Sequence, residues 1–119
     1  MRSEQYGSVK VSYFDKEAAW LAVEQVALEV GKRPEVKRVA VFGSLVRGEA
    51  VPGSDVDVLV VVSETDIPFL DRPNAYRPEH MSISLDVFVY TEVEVAQMLA
   101  DGNGFIKRAL SEGRTLFER

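Results

Sequence analysis

Apolar residues at Ala19, Val23, Val26 and Val30, with Trp20 and Ala27 alongside, recur at the spacing of one helical face and predict an amphipathic helix from Asp15 to Val30. Asp15 suits its N-cap, with Glu17 in the first turn. Gly31 suits a left-handed position after the last turn, and Pro34 blocks continuation. The period then changes. Val36-Lys37-Arg38-Val39-Ala40-Val41-Phe42 is rich in β-branched residues and ends at Gly43, so it predicts a short buried strand running into a turn. Ser44 to Glu49 has room for one or two helical turns, and Val51-Pro52-Gly53-Ser54 is turn chemistry. The Val-rich run Asp55 to Val62 predicts a second strand. Along it Asp55, Asp57, Leu59 and Val61 share one face, while Val56, Val58, Val60 and Val62 share the other. Both faces are apolar beyond Asp57, so helices must cover the strand above and below. The expected fold class is therefore α/β (α+β), a small β-sheet flanked by helices, the first helix supplying one layer.

Pro68, Pro73 and Pro78 fall between Ser63 and Met81, and the expectation there is a mobile surface loop without regular structure. Ile83 to Tyr90 resumes strand character, with Ile83, Leu85, Val87 and Val89 on one face and Ser84, Asp86, Phe88 and Tyr90 on the other. Thr91 and Glu94 form a capping-box pattern for a helix through about Ala100, ended by Asp101-Gly102. A last helix is expected over Phe105 to Glu112. No repeat, low-complexity tract or interdomain linker interrupts the pattern, so a single domain over residues 1–119 is expected.

The chain has 119 residues, 14 Lys and Arg, 19 Asp and Glu, and a formal net charge of −5. Its 46% hydrophobic content suffices for a globular core without metal or disulfide staples. The absence of cysteine excludes disulfide frameworks, cysteine-based zinc sites and thiol nucleophiles. Val56 to Val62, the longest apolar stretch, falls far short of the roughly 20 residues of a spanning helix. Residues 1–8 lack the apolar core of a signal peptide, so a cytoplasmic location is expected and a membrane partner is not. Net negative charge without a long basic run also disfavours a nucleic-acid polymer as partner.

The chemistry concentrates in Gly43-Ser44-Leu45-Val46-Arg47-Gly48, followed by Asp55-Val56-Asp57, with ten residues between Ser44 and Asp55. Carboxylates two apart on a strand project from one face, roughly 6.5–7 Å apart along the chain, and can converge on one or two hard cations. A glycine just after a strand permits a tight turn. Exposed N–H groups at the start of the next short helix, with the Ser44 hydroxyl and Arg47, favour a phosphate. Metal-binding acids facing a phosphate-gripping turn suit transfer of a phosphorus group, in which developing negative charge must be neutralised. Short motifs of this kind also occur as plain turn and capping residues. Their coincidence favours function: a Gly-Ser turn after one strand, two acids opening the next, and Asp86 inside a third apolar strand, where an uncompensated carboxylate is costly.

In these residues the chain resembles the minimal nucleotidyltransferases of the DNA polymerase beta superfamily. The signature is carried by Gly43-Ser44, Arg47-Gly48 and Ser54-Asp55-Val56-Asp57, with weaker similarity over Gly102 to Gly113. The resemblance implies a mixed sheet carrying the acids and a transfer of a nucleoside monophosphate, assisted by two Mg²⁺ ions, with ATP as the usual donor. Carried over by position, Asp55 and Asp57 would bind both ions, and Asp86 would bind one and help deprotonate the acceptor. Gly43, Ser44, Arg47 and Ser54 would contact the nucleotide. Many small chains of this group act as antitoxins beside a HEPN-domain ribonuclease and add AMP to one of its tyrosines, so a HEPN-type partner and AMPylation are implied here. Two other readings stand beside this one: neutralisation of a partner by binding alone, and transfer to a small molecule or an RNA end.

Other polar and aromatic residues read as structural. His80 is expected as an incidental surface residue and Glu49 as a solvated helix-end charge. Phe69 and Tyr76 are expected to anchor their loop, and Tyr90 to lie in the core. Lys107, Arg108 and Arg114 fit a solvated face better than a basic patch for a triphosphate or partner. Gly102-Asn103-Gly104 follows a helix and not a strand, which fails the context of a dinucleotide fingerprint.

Overall fold

The computed structural model describes residues 15–51, 53–79 and 83–119. The readings of His80 and of residues 1–8 lie outside this set. Helix α1 spans Lys16–Gly31, and Asp15 caps it by accepting the Ala18 N–H at 3.1 Å. Strand β1 (Val36–Phe42) leads through Gly43 into the single turn of α2 (Ser44–Arg47), and strand β2 covers Val56–Val62. A 3-10 turn (Phe69–Asp71) and helix α3 (Arg72–Tyr76) precede strand β3 (Leu85–Thr91). Helices α4 (Glu92–Ala100) and α5 (Gly104–Glu112) follow, then strand β4 (Arg114–Glu118).

The four strands form one mixed sheet in the order β3-β2-β1-β4. β1 runs antiparallel to β2 and β4, whereas β2 and β3 are parallel. The alternation in β2 builds two cores. Val56, Val58, Val60 and Val62 pack with Val23, Val26 and Val30 of α1 and with Leu85, Val87 and Val89. Leu59 and Val61 pack on the opposite face with Phe42, Ile106 and Ala109, flanked by Phe88, Tyr90, Val95 and Met98. The expected capping box is present at the start of α4: Thr91 N–H donates to Glu94 Oε1 at 2.8 Å, and Glu94 N–H donates to Thr91 Oγ1 at 3.1 Å.

Three expectations require correction. Gly31 does not leave the helix in a left-handed conformation; it is the last residue of α1, and the capping residue Lys32 is right-handed at φ −68°. What Gly31 supplies is space, since a Cβ there would lie 2.8 Å from Phe117 Cδ1. The proline-rich segment contains α3, because Pro73 occupies the first turn, where no intrahelical N–H bond is lost. Its Tyr76 is buried and donates to Glu35 Oε2 at 2.6 Å. Finally, the sequence pattern does not predict β4: Arg114-Thr115-Leu116-Phe117-Glu118 is a short edge strand whose pairing with β1 depends on tertiary contact.

Candidate functional site

β1 ends beside the start of β2, and this brings the glycine turn against the acids. Asp57 stands in register with Phe42 across the antiparallel pair and with Asp86 across the parallel pair. Register partners on adjacent strands lie about 4.8 Å apart, so Asp57 and Asp86 are neighbours on one face, with Asp55 two residues before. Asp57 is half-buried; Asp55 and Asp86 are exposed. Burial, then the charges of Asp86 and Asp55, push the Asp57 carboxyl above its ordinary range, while Arg47 pulls it down. Asp57 therefore senses both neighbouring acids.

Gly43 makes this closeness possible. It has φ 81° and ψ −150°, a backbone conformation nearly confined to glycine, and a Cβ there would collide with Asp57 Oδ2. Gly48, at φ 76°, ends α2 in the left-handed region. Ser44 begins α2, partly exposed beside Gly43. Ser54 closes the turn before β2, its Oγ accepting the Val51 N–H at 3.1 Å.

Arg47 projects from α2 toward the acids and carries two partners. Its Nε lies 2.9 Å from Glu49 Oε1, and its Nη1 lies 3.5 Å from Glu112 Oε1. Glu49 is thus an ion-pair partner and not merely a solvated charge, and an incoming phosphate must compete with both carboxylates for Arg47. A cleft of about 270 Å³ is lined by Gly43, Arg47, Asp57, Phe105, Arg108 and Glu112, with Phe42 and Ala109 at its base. The contribution of α5 is one that sequence reasoning missed. Phe105, Arg108, Ala109 and Glu112 share a helical stripe by their spacing, a visible signal, but its meeting with the Gly43 turn is a tertiary fact. Under the acids, Phe42, Phe88 and Phe105 form an aromatic cluster with ring centroids 5.0–5.7 Å apart.

The donor set is chemically suited to a hard divalent cation, since carboxylate oxygens are the ligands such ions take. An added cation would relieve Asp57, whose carboxyl is pushed up by burial and then by the charges of Asp86 and Asp55. Among the described residues, no three His, Asp or Glu side chains converge into a preformed cage. Other singled-out residues lie elsewhere. Phe69 packs its ring 5.6 Å from Tyr90, and Arg114 lies 4.9 Å from the ring centre of Trp20, away from the cleft. Tyr90 is only partly buried, at the edge of the second core. No helix among the described residues is long and apolar enough to cross a membrane.

A crystal structure of a candidate nucleotidyltransferase from Sulfolobus solfataricus has a similar fold. It has 20% sequence identity and a TM-score of 0.61, over 87% of this chain and 84% of that one. No curated protein matches the chain. A family model, the nucleotidyltransferase domain, matches residues 23–115, which include the glycine turn, all three acids and α5. With most of its length matched by that model, the chain belongs to the nucleotidyltransferase domain family.

Proposed function

We propose that this protein transfers AMP from ATP to a hydroxyl acceptor in a Mg²⁺-dependent reaction, with Asp55, Asp57 and Asp86 as its catalytic carboxylates. The observation that carries this reading is the register of Asp57 with Asp86, two residues from Asp55 and against a glycine whose missing Cβ leaves room for the Asp57 carboxylate. In the reaction, the acceptor oxygen forms a bond to the α-phosphorus. The bond from that phosphorus to the bridging oxygen breaks, and its electron pair leaves with pyrophosphate. The acceptor proton passes to a carboxylate, for which Asp86 is the candidate, or to water. Magnesium held by these carboxylates would supply charge neutralisation at the phosphates and a lowered pKa for the attacking hydroxyl.

The protein's own groups have separable tasks. Asp57 would hold the metal from β2 and Asp55 from the residue just before it, and Asp86 would add an oxygen from β3. Gly43 and Ser44 form the turn proposed to receive the outer phosphates, with Arg47 as a phosphate contact once it is released from Glu49 and Glu112. Ser54, proposed as a nucleotide contact by its place in the signature, also fixes the turn that delivers Asp55.

For the acceptor we propose a tyrosine of a HEPN-type toxin, so that the protein acts as an antitoxin by AMPylation. This finer reading is supported by the resemblance of Gly43-Ser44, Arg47-Gly48 and Asp55-Val56-Asp57 to the minimal nucleotidyltransferases. The test is incubation with α-labelled ATP and Mg²⁺ in lysate of the source cell, followed by a denaturing gel and mass identification of the labelled species. A labelled HEPN-domain protein bearing AMP on tyrosine is the expected result. Label in RNA or a small molecule would overturn the protein acceptor. No label and no ATP binding would leave neutralisation by binding alone as the better account.

A further inference from the structure

Two guanidinium groups line the cleft beside the acids, and they differ in one respect. Arg47 is paired with Glu49 and Glu112, whereas the Arg108 side chain makes no hydrogen bond or ion pair among the described residues. Arg108 stands on α5, on the wall shared with Phe105 and Glu112 and facing the wall that carries Gly43 and Arg47. Of Lys107, Arg108, Arg114 and Arg119, Arg108 alone lines this cleft: Arg114 lies over Trp20, Arg119 donates to the Val36 carbonyl, and Lys107 is absent from the lining. Three carboxylates repel a polyanionic nucleotide, and the positive charge of Arg47 is already shared between two others. We propose that Arg108 is a positioning residue that holds the phosphate tail of the nucleotide and neutralises the pyrophosphate as it leaves. The proposal rests on the nucleotidyl-transfer reading of the site and adds to it a residue outside the glycine–aspartate signature.

Calorimetric titration tests it, using ATP and inorganic pyrophosphate separately, each with Mg²⁺, against the wild-type chain and the Arg108→Gln, Arg108→Lys and Arg114→Gln variants. Loss of a charge-assisted contact should weaken both ligands about tenfold or more in Arg108→Gln. Arg108→Lys should recover part of the affinity, and Arg114→Gln should bind as wild type does. In the transfer assay, Arg108→Gln should raise the KM for ATP, from the lost hold on the phosphate tail, and lower kcat, from the charge left on the departing pyrophosphate. If Arg108→Gln binds both ligands as tightly as wild type while the wild-type chain transfers AMP, the proposal is overturned and the reading of the site stands. Weakened ATP with unchanged pyrophosphate would also overturn it, because the contact would then lie on the nucleoside. If the wild-type chain binds neither ligand and transfers nothing, the reading of the site and this proposal fall together.

Discussion

A methyl group at position 43 would meet Asp57 Oδ2 and would force a side chain into a backbone conformation of φ 81°. Gly43→Ala should therefore cost about 1–3 kcal/mol of stability and lower transfer more than the lost stability explains, because the displaced group is a proposed metal ligand. Chemical denaturation beside transfer rates would check this; full activity in the Gly43→Ala variant would contradict it. Asp57 behaves oppositely. Its carboxyl is raised by burial and by Asp86 and Asp55, so its stabilising contribution belongs to the protonated form and is lost as pH rises through the elevated folded pKa. Near neutral pH without divalent ions, Asp57→Asn should thus raise Tm while abolishing transfer, and a lowered Tm would show that the carboxylate serves the fold. At this scale the sequence is informative. The Gly-Ser turn, the two acids and the parity of Asp86 opposite Leu85, Val87 and Val89 are all readable, whereas the register that sets Asp86 beside Asp57 comes from strand pairing. The partners of Arg47 are not readable, because Glu112 reaches it only through the packing of α5.

Arg72 shows what element-level reading leaves out. It begins α3 in the proline-rich segment, yet it is buried, its Nε donating to the Ile67 carbonyl at 3.0 Å and its Nη1 to Glu94 Oε1 at 2.7 Å. It thereby ties α3 to the N-terminus of α4. Arg72→Met should cost about 2–4 kcal/mol, since it strips a partner from Glu94 and from buried carbonyls, and urea denaturation would measure the loss. The Glu94 carboxyl is held below its ordinary value of 4.5, chiefly by Arg72 and secondarily by the Thr91 N–H. Its contribution is present above that value and declines as pH falls through the lowered folded pKa. Wild-type stability should consequently drop below about pH 4.5 more steeply than that of Glu94→Gln, and parallel acid limbs for the two would contradict the assignment. The helix over Lys16–Gly31, the three predicted strands and the capping box are legible because each carries a period or a local hydrogen-bond signature. Helix α3 is hidden by prolines that usually mark loops, and β4 by its shortness.

At the scale of the whole molecule, the sheet separates two cores with different consequences for function. The α1 side contains Val60, and the α5 side contains Ile106; both are fully buried. The second core supports α5, which forms one wall of the cleft, whereas the first core meets the opposite wall only through Leu45 of α2, at the end of the sheet away from Val60. Ile106→Ala should cost about 2–4 kcal/mol and weaken nucleotide binding as α5 loosens, whereas Val60→Ala should lower stability and leave binding near wild type under folded conditions. Equal losses of binding in the two would show that the cleft does not depend on the α5 packing. Nucleotidyl transfer by the acids can be tested before any partner is known. Parallel reactions with α-labelled and γ-labelled ATP and Mg²⁺ in source-cell lysate, using the wild-type chain and the Asp55→Asn, Asp57→Asn double variant, measure which phosphate is transferred and whether the acids are required. Label above that of lysate without the added protein is expected from α-labelled ATP only, and with the wild-type chain only. Label above that background from γ-labelled ATP, or equal α-label from the double variant, would contradict nucleotidyl transfer by these acids.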